Sequence, residues 1–260
     1  MDKITMLGTG HAMTMECFNT CFVYESEQGK MLVDTGGGQQ VLVRLRRAGI
    51  KAQELDCVYV THLHTDHLLG LPWIVRACGK NAEGKPPLEI IAHGELCKTV
   101  RSLLLLVFPE LEEEWDSRIR LTAVEHGEEL VRCGRKFRFY DAYSDRCSQY
   151  GFVMELENGG KLVFNGDVPR DERNHALMEG AKYLMHEAFC LEEEGRGRLR
   201  GHSSVAQTAQ YAADLKAENL ILIHGGDQDI LHRKEKYTEE AKRHYTGPVF
   251  VPDDMEVLDL

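Results

Sequence analysis

Short apolar runs, each closed by a polar turn, recur along the first half of the chain. Residues 4–7 and 20–24 read as strands, and a third run at 31–33 ends on Asp34 before the turn Gly36-Gly37-Gly38. Residues 41–48 change period: Val41, Leu42, Leu45 and Ala48 fall on one side of a helix. Residues 57–60 form a short buried strand, 68–78 read as a helix and 89–92 as a further strand.

The second half repeats this rhythm. Residues 137–142 and 151–156 pair as strands, and 161–164 form a third that ends at Asn165-Gly166-Asp167. A strand at 183–185 runs into His186-Glu187, and one at 220–223 runs into His224. Between them lies a helix at 205–215, whose start is marked by the S-x-x-Q capping box of Ser204 and Gln207. Each half clusters strands and then adds a helix, which predicts two packed sheets with helices outside. No linker-like stretch interrupts the pattern, so residues 1–260 are expected to form a single domain.

Composition narrows the setting. The chain has 260 residues, 43% hydrophobic and 28% charged, enough to bury a core without covalent staples. No run approaches the roughly 18 to 20 apolar residues of a membrane helix, and the start, MDKITMLGTG, lacks the layout of a signal peptide. No membrane partner and a cytoplasmic location are therefore expected. None of the eight cysteines forms a C-x-x-C pair; Cys17 and Cys21 come nearest. They are expected to be ordinary thiols in a reducing compartment. The formal charge of −11 disfavours long nucleic acid as the main partner.

The candidate chemistry is concentrated in Thr61-His62-Leu63-His64-Thr65-Asp66-His67, directly after the buried strand at 57–60. Residues two apart in an extended chain point the same way, so His62 and His64 can converge on one ion while Leu63 turns inward. Asp66 and His67, where the chain turns into a helix, can serve a second ion. Imidazole and carboxylate ligands suit Zn2+, and also Mn2+ or Fe, with one or two ions bound. Four ligand-type residues in six positions outweigh the reading of a polar loop with strand-capping histidines.

H-x-H-x-D-H after a strand resembles the signature of the metallo-β-lactamase superfamily. Further landmarks resemble that superfamily in order: Asp34 its early structural aspartate, Asp167 in LVFNGD its bridging aspartate, and His224 in LILIHGG its last metal histidine. The opening LGTG, the HEA beginning at His186 and the GHSS beginning at Gly201 resemble its ribonuclease Z-like branch. The resemblance implies an α/β (α+β) fold, the αββα four-layer metallo-β-lactamase sandwich. It implies metal ligation by His62, His64, Asp66, His67, Asp167 and His224. It further implies that His202 assists the leaving group, that Glu187 orients it, and that Asp66 has a catalytic part. The helix start beside His202 is also a natural place for an anion.

The chain departs from that branch twice. No histidine occurs between His126 and His175, where the family's third histidine motif belongs, and the natural alignment places Tyr143 or Asp145 there, with His126 as an outside candidate. The 22 positions separating Asp145 from Asp167 hold two strands and a turn, so the long transfer-RNA-binding arm does not fit. Two segments are candidates for shaping the pocket. Residues 103–115 suggest a core-covering amphipathic segment, a lid or a dimer contact; residues 191–200 carry Arg196, Arg198 and Arg200 just before His202.

The expectation is therefore a metal-dependent hydrolase acting on a small, anionic phosphodiester through a metal-bound hydroxide. The alternatives are a lactone, thioester or sulfate-ester hydrolase of the same fold, or a catalytically degenerate metal-binding or sensory protein. A homodimer is a further expectation.

Overall fold

Strand alternation divides the apolar residues among three buried layers, and those layers define the architecture. The chain is described here from a computed structural model that covers residues 2–78, 86–196 and 199–260. One seven-stranded sheet contains β1 (Lys3–Gly8), β2 (Cys21–Ser26), β3 (Gly29–Val33), β4 (Cys57–Tyr59), β5 (Leu88–His93) and β6 (Ile119–Val124). A second contains β7 (Glu129–Arg132), β8 (Arg135–Asp141), β9 (Tyr150–Glu155), β10 (Lys161–Phe164), β11 (Tyr183–Glu187), β12 (Asn219–Ile223) and β13 (Val249–Phe250). The seventh strand of the first sheet is β14 (Val257–Asp259), antiparallel to β1.

Both sheets are mixed. Neighbouring strands from β3 to β6 are parallel, as are those from β10 to β13. The remaining pairs are antiparallel.

Period-2 burial sends Phe22, Tyr24, Met31 and Val33 to the layer between the sheets, where they meet Phe152, Leu162, Phe164 and Ile221. Phe22 and Phe164 pack edge to face across it, with ring centres 5.2 Å apart. The alternate residues Val23, Leu32 and Val58 turn outward under the helices α1 (Gln40–Arg47), α2 (Thr65–Leu68), α3 (Leu71–Cys78), α4 (Gly94–Val107) and α5 (Leu111–Arg118). On the other side Val163, Leu184, Leu220 and Leu222 lie under α6 (His175–Met178), α8 (Val205–Asp214) and α9 (Ile230–Lys242). Helix α7 (Glu192–Gly195) precedes α8. Helix, sheet, sheet, helix is the predicted four-layer order.

One difference from the sequence reading has a local cause, while the readings of 103–115 as a core-covering segment and of the interval before Asp167 hold. The helix expected at 68–78 is broken into α2 and α3 because the chain passes very close to the loop after β3. The Gly70 amide donates to the Gly36 carbonyl at 2.8 Å, and a Cβ on Gly70 would stand 1.9 Å from the Thr35 carbonyl oxygen. The segment 103–115 spans the end of α4 and most of α5; Leu104 and Leu111 are buried, and Phe108 and Trp115 pack on the core, so it covers the sheet. The 22 positions before Asp167 are occupied by β9, β10 and their turn, leaving no arm.

Candidate metal centre

Parallel strands place their carboxyl ends on one edge, and the candidate residues lie there. Asp34 follows β3, His62 follows β4, Asp167 follows β10, Glu187 ends β11 and His224 follows β12. Asp34 and His224 both adopt left-handed backbone conformations, with φ of 55° and 57°, that non-glycine residues seldom take.

Two groups of ligand-type atoms form at this edge. In the first, Asp66, His67, Asp167 and His224 are all buried, with their ligand atoms within 4.8 Å of one another. Asp167 Oδ2 lies 2.8 Å from both His67 Nε2 and His224 Nε2, and Asp66 Oδ2 lies 3.3 and 3.4 Å from the same two nitrogens. In the second, His62 Nε2 stands 3.0 Å from His64 Nδ1. The sulfur of Cys147 stands 3.7 Å from His64 Nε2. Six residues expected from sequence as ligands are thus brought together.

The residues present fit divalent metal ions. His67 Nε2 and Asp167 Oδ1 are buried without a satisfactory hydrogen bond, a costly state for polar atoms unless they share another partner. Behind them Asp34 fixes ring orientation: its Oδ2 accepts from His67 Nδ1 at 2.7 Å, and its Oδ1 accepts from the Thr61 amide at 2.9 Å. A carboxylate behind a ligand histidine is a common outer support of metal sites.

Charges in the group are strongly interdependent. Burial opposes a positive His67, but Asp167 and Asp34 hold it well above the usual imidazole range. His224 is likewise raised against burial, chiefly by Asp167 and Asp66. Burial would push Asp66 up, yet bonds from His224 and His67 hold it far below the ordinary carboxylate range. Asp167 is lowered in the same way by His224 and His67. His62 and His64 are shifted down, burial being the largest cause for each. These last two favour the neutral, ligating form.

His202 and Glu187 form a third grouping with His224. His202 Nδ1 lies 2.5 Å from Glu187 Oε2, and the Ser203 amide donates to Glu187 Oε1 at 3.0 Å. Burial opposes ionisation of Glu187, but the His202 bond lowers its pKa. The capping box is present: Ser204 accepts from the Gln207 amide and Gln207 accepts from the Ser204 amide. The expectation of an anion at the start of α8 is met by the chain's own Glu187 and Glu240, which accept from the Ser203 and Ala206 amides. Those donors are already used.

Four residues at the site escaped the sequence reading. Arg146 donates to His202 Nε2 at 2.7 Å and to the Asp167 carbonyl at 2.5 Å. Phe189 lies between His11 and His202, its ring centre 4.3 and 4.7 Å from theirs in near-parallel stacks. Burial, then the neighbouring His224, pushes His11 down to about 4. Cys147 is the fourth; burial pushes its thiol up, while Arg146 and the Leu63 amide act the other way. Only the G-T-G-H run after β1 hinted at His11.

The third-motif expectation is corrected. Tyr143 lies under the Arg173 guanidinium, 3.9 Å from its ring centre, and Asp145 is exposed. His126 is exposed and accepts from the Asp141 amide. Among the described residues, Cys147 is the one that joins His62 and His64. Of the arginines near His202, Arg200 lines the cavity, Arg196 is exposed and Arg198 lies outside the described residues.

The grouping opens into a cavity of about 540 Å³, lined by His11, Met13, Leu63, Arg146, Phe189 and His202 among others. Two mixed sheets between helical layers, with H-x-H-x-D-H at the strand ends, make this a metallo-β-lactamase-fold protein of the ribonuclease Z-like branch. The chain belongs to the anti-Pycsar protein Apyc1 family, whose family model matches residues 2–244. It is 26% identical over 310 residues to a ribonuclease Z of Natronomonas pharaonis, covering 99% of this chain and 97% of that protein. The metallo-β-lactamase fold protein YhfI from Bacillus subtilis superposes with a TM-score of 0.81 at 19% identity, covering 99% of this chain and 98% of that one. Human tRNase Z, short form, gives 0.73 at 22% identity, covering 100% and 99%.

Proposed function

We propose that this chain hydrolyses a small, anionic phosphodiester in the cavity at the ends of β4, β10, β11 and β12. The chain is a metal-dependent hydrolase, in keeping with its ribonuclease Z relatives. The observation that carries the reading is the buried Glu187–His202 pair set beside the Asp66, His67, Asp167 and His224 group. A site that only stores metal has no use for such a pair.

His62, His64, Asp66, His67, Asp167 and His224 would hold one or two ions, with Zn2+ favoured by the donor set and Mn2+ or Fe as alternatives. A bound divalent ion supplies Lewis acidity, polarising the phosphoryl group and acidifying water. Asp66 also takes up a proton from the attacking water at its carboxylate.

The rest follows from the hydrogen bonds. Arginine has donors only, so Nε2 of His202 accepts from Arg146, and Nδ1 carries its proton toward Glu187. A phosphodiester anion offers Arg146 charged oxygens in exchange, which releases Nε2. Freed of Arg146, Nε2 takes up a proton from solvent in the cavity, giving an imidazolium that the Glu187 carboxylate stabilises; Nε2 then passes that proton to the leaving oxygen and the ring returns to neutral. Phe189 holds the His202 ring by stacking.

The absent arm and the −11 charge support a small substrate over transfer RNA. No helix among the described residues is long and apolar enough to cross a membrane. A cytoplasmic location is part of the proposal, supported by eight free cysteines. A homodimer is also part of it, supported by the exposed Leu106 and Val107 at the end of α4.

The test is a substrate panel on the metal-loaded chain: a nitrophenyl phosphodiester, a phosphomonoester, a thioester, a lactone and a transfer-RNA precursor. Turnover of the diester above the others is expected. Efficient cleavage of the precursor at its 3′ end contradicts the small-substrate reading, and two bound metals with no diester turnover contradict the activity.

A further inference from the structure

The loop between β8 and β9 brings Cys147 from the second sheet against His62 and His64, which follow β4 in the first. One ring nitrogen from each histidine and the Cys147 sulfur lie within 4.8 Å of one another. Ligand atoms around a tetrahedral zinc ion stand about 3.3 to 3.8 Å apart, given bonds of about 2.0 Å to nitrogen and 2.3 Å to sulfur. His64 can offer either ring nitrogen to this group, since its Nδ1 stands 3.0 Å from His62 Nε2 and its Nε2 3.7 Å from Cys147 Sγ, and with a single His64 nitrogen the three ligand atoms stay within the 4.8 Å that a bound ion can draw together. Thr61 Oγ1 engages His62 Nδ1 at 2.8 Å, which leaves His62 Nε2 facing this group. The other donor types considered for this position point elsewhere: Tyr143 is stacked under Arg173, and Asp145 is exposed.

We propose that Cys147 is the third protein ligand of the first metal position, completing a His62–His64–Cys147 set beside Asp167. The inference rests on the metal-centre reading above. As the sulfur–metal bond forms, the Cys147 S–H proton leaves to solvent, so no oxidant or further reactant is needed. Asp167 Oδ1, buried and without a partner, remains free to reach toward this position while Oδ2 serves the His67 and His224 side. A thiolate also makes this position softer than an all-histidine one, favouring zinc, cobalt or cadmium over manganese.

Cobalt substitution tests it without relying on turnover. The full chain loaded with Co2+ should show a near-ultraviolet sulfur-to-cobalt charge-transfer band and two bound ions. Cys147→Ser should lose the band and weaken one of the two ions by more than the roughly 10- to 100-fold that outer-shell changes cause. Cys147→His should restore the second ion without the band. A second measurement uses the unaltered chain: bound Zn2+ should block alkylation of Cys147 by iodoacetamide, read by peptide mass, relative to the metal-free chain. Two tightly bound cobalt ions with no sulfur band, a band that survives Cys147→Ser, or equal alkylation with and without zinc would overturn the cysteine assignment alone. No cobalt binding at all would overturn the metal-centre reading together with it.

Discussion

His202 Nδ1 and Glu187 Oε2 stand 2.5 Å apart, and the carboxylate of this pair is fully buried. Because Arg146 can only donate to the other ring nitrogen, this contact fixes which nitrogen of His202 faces the cavity. Glu187→Gln keeps the shape and removes the charge that supports an imidazolium. Turnover of an alkyl phosphodiester is expected to fall by about 10²-fold or more, within the range that general-acid help supplies. The loss should be far smaller for a nitrophenyl phosphodiester, whose leaving group needs little protonation. A small loss equal for both substrates would leave Glu187 a purely structural role.

Asp34 touches no ligand position of its own, yet it accepts from His67 Nδ1 and from Thr61. Asp34→Asn should therefore weaken metal binding by roughly 10- to 100-fold. Competition against a chelator of known affinity measures this. Unchanged affinity would separate Asp34 from the metal centre.

Acid stability depends on a carboxylate far from the site. Asp2 accepts from Tyr24 at 2.6 Å, from Arg135 Nε at 3.0 Å and from the Glu157 amide at 2.8 Å. Burial alone would raise its pKa, but the bonds from Arg135, Tyr24 and Glu157 hold it below the ordinary value of 3.8. A carboxylate lowered in the folded state stabilises above its unfolded pKa and loses that contribution as pH falls through the folded value. Asp2→Asn is expected to cost about 1.5 to 3 kcal/mol at pH 7, the range for hydrogen bonds to a charged group. The deficit should narrow below roughly pH 4, where unfolded carboxylates protonate. Denaturant unfolding of both proteins at pH 7 and pH 3 checks it; a pH-independent deficit would contradict the charge argument.

The legible part of the fold was the part encoded locally. Buried central strands such as β10 and β12 announce themselves by apolar runs, and His62 to His67 are consecutive in the chain. Strands β6 and β7 at the sheet edges alternate with exposed residues over short spans, and α9 buries only Arg233, Tyr237 and Ala241, so none gave a usable periodic signal. Cys147 and Arg146 reach the centre through the packing of one sheet on the other, 80 or more positions from His64. Such juxtaposition leaves no trace in periodicity. In an alignment Tyr143 and Asp145 fall nearest the place of the missing histidine, and the Cys147 thiol, two residues further on, falls out of register with it. The loop turns Tyr143, whose φ is 57°, under Arg173.

The central claim is that His202 gives a proton to the leaving oxygen at a metal-dependent phosphodiesterase centre. An alkoxide is a poor leaving group and needs that proton; nitrophenolate needs little help. His202→Ala should slow an alkyl phosphodiester by roughly 10²- to 10⁴-fold and a nitrophenyl phosphodiester far less. Metal content should be unchanged, since His202 is held by Glu187 and Arg146 and not by the group around Asp167. The decisive measurement is the ratio of these two rate losses, taken with metal analysis of the same preparations. A large ratio with metals intact is predicted, and a ratio near one with metals intact would contradict the mechanism.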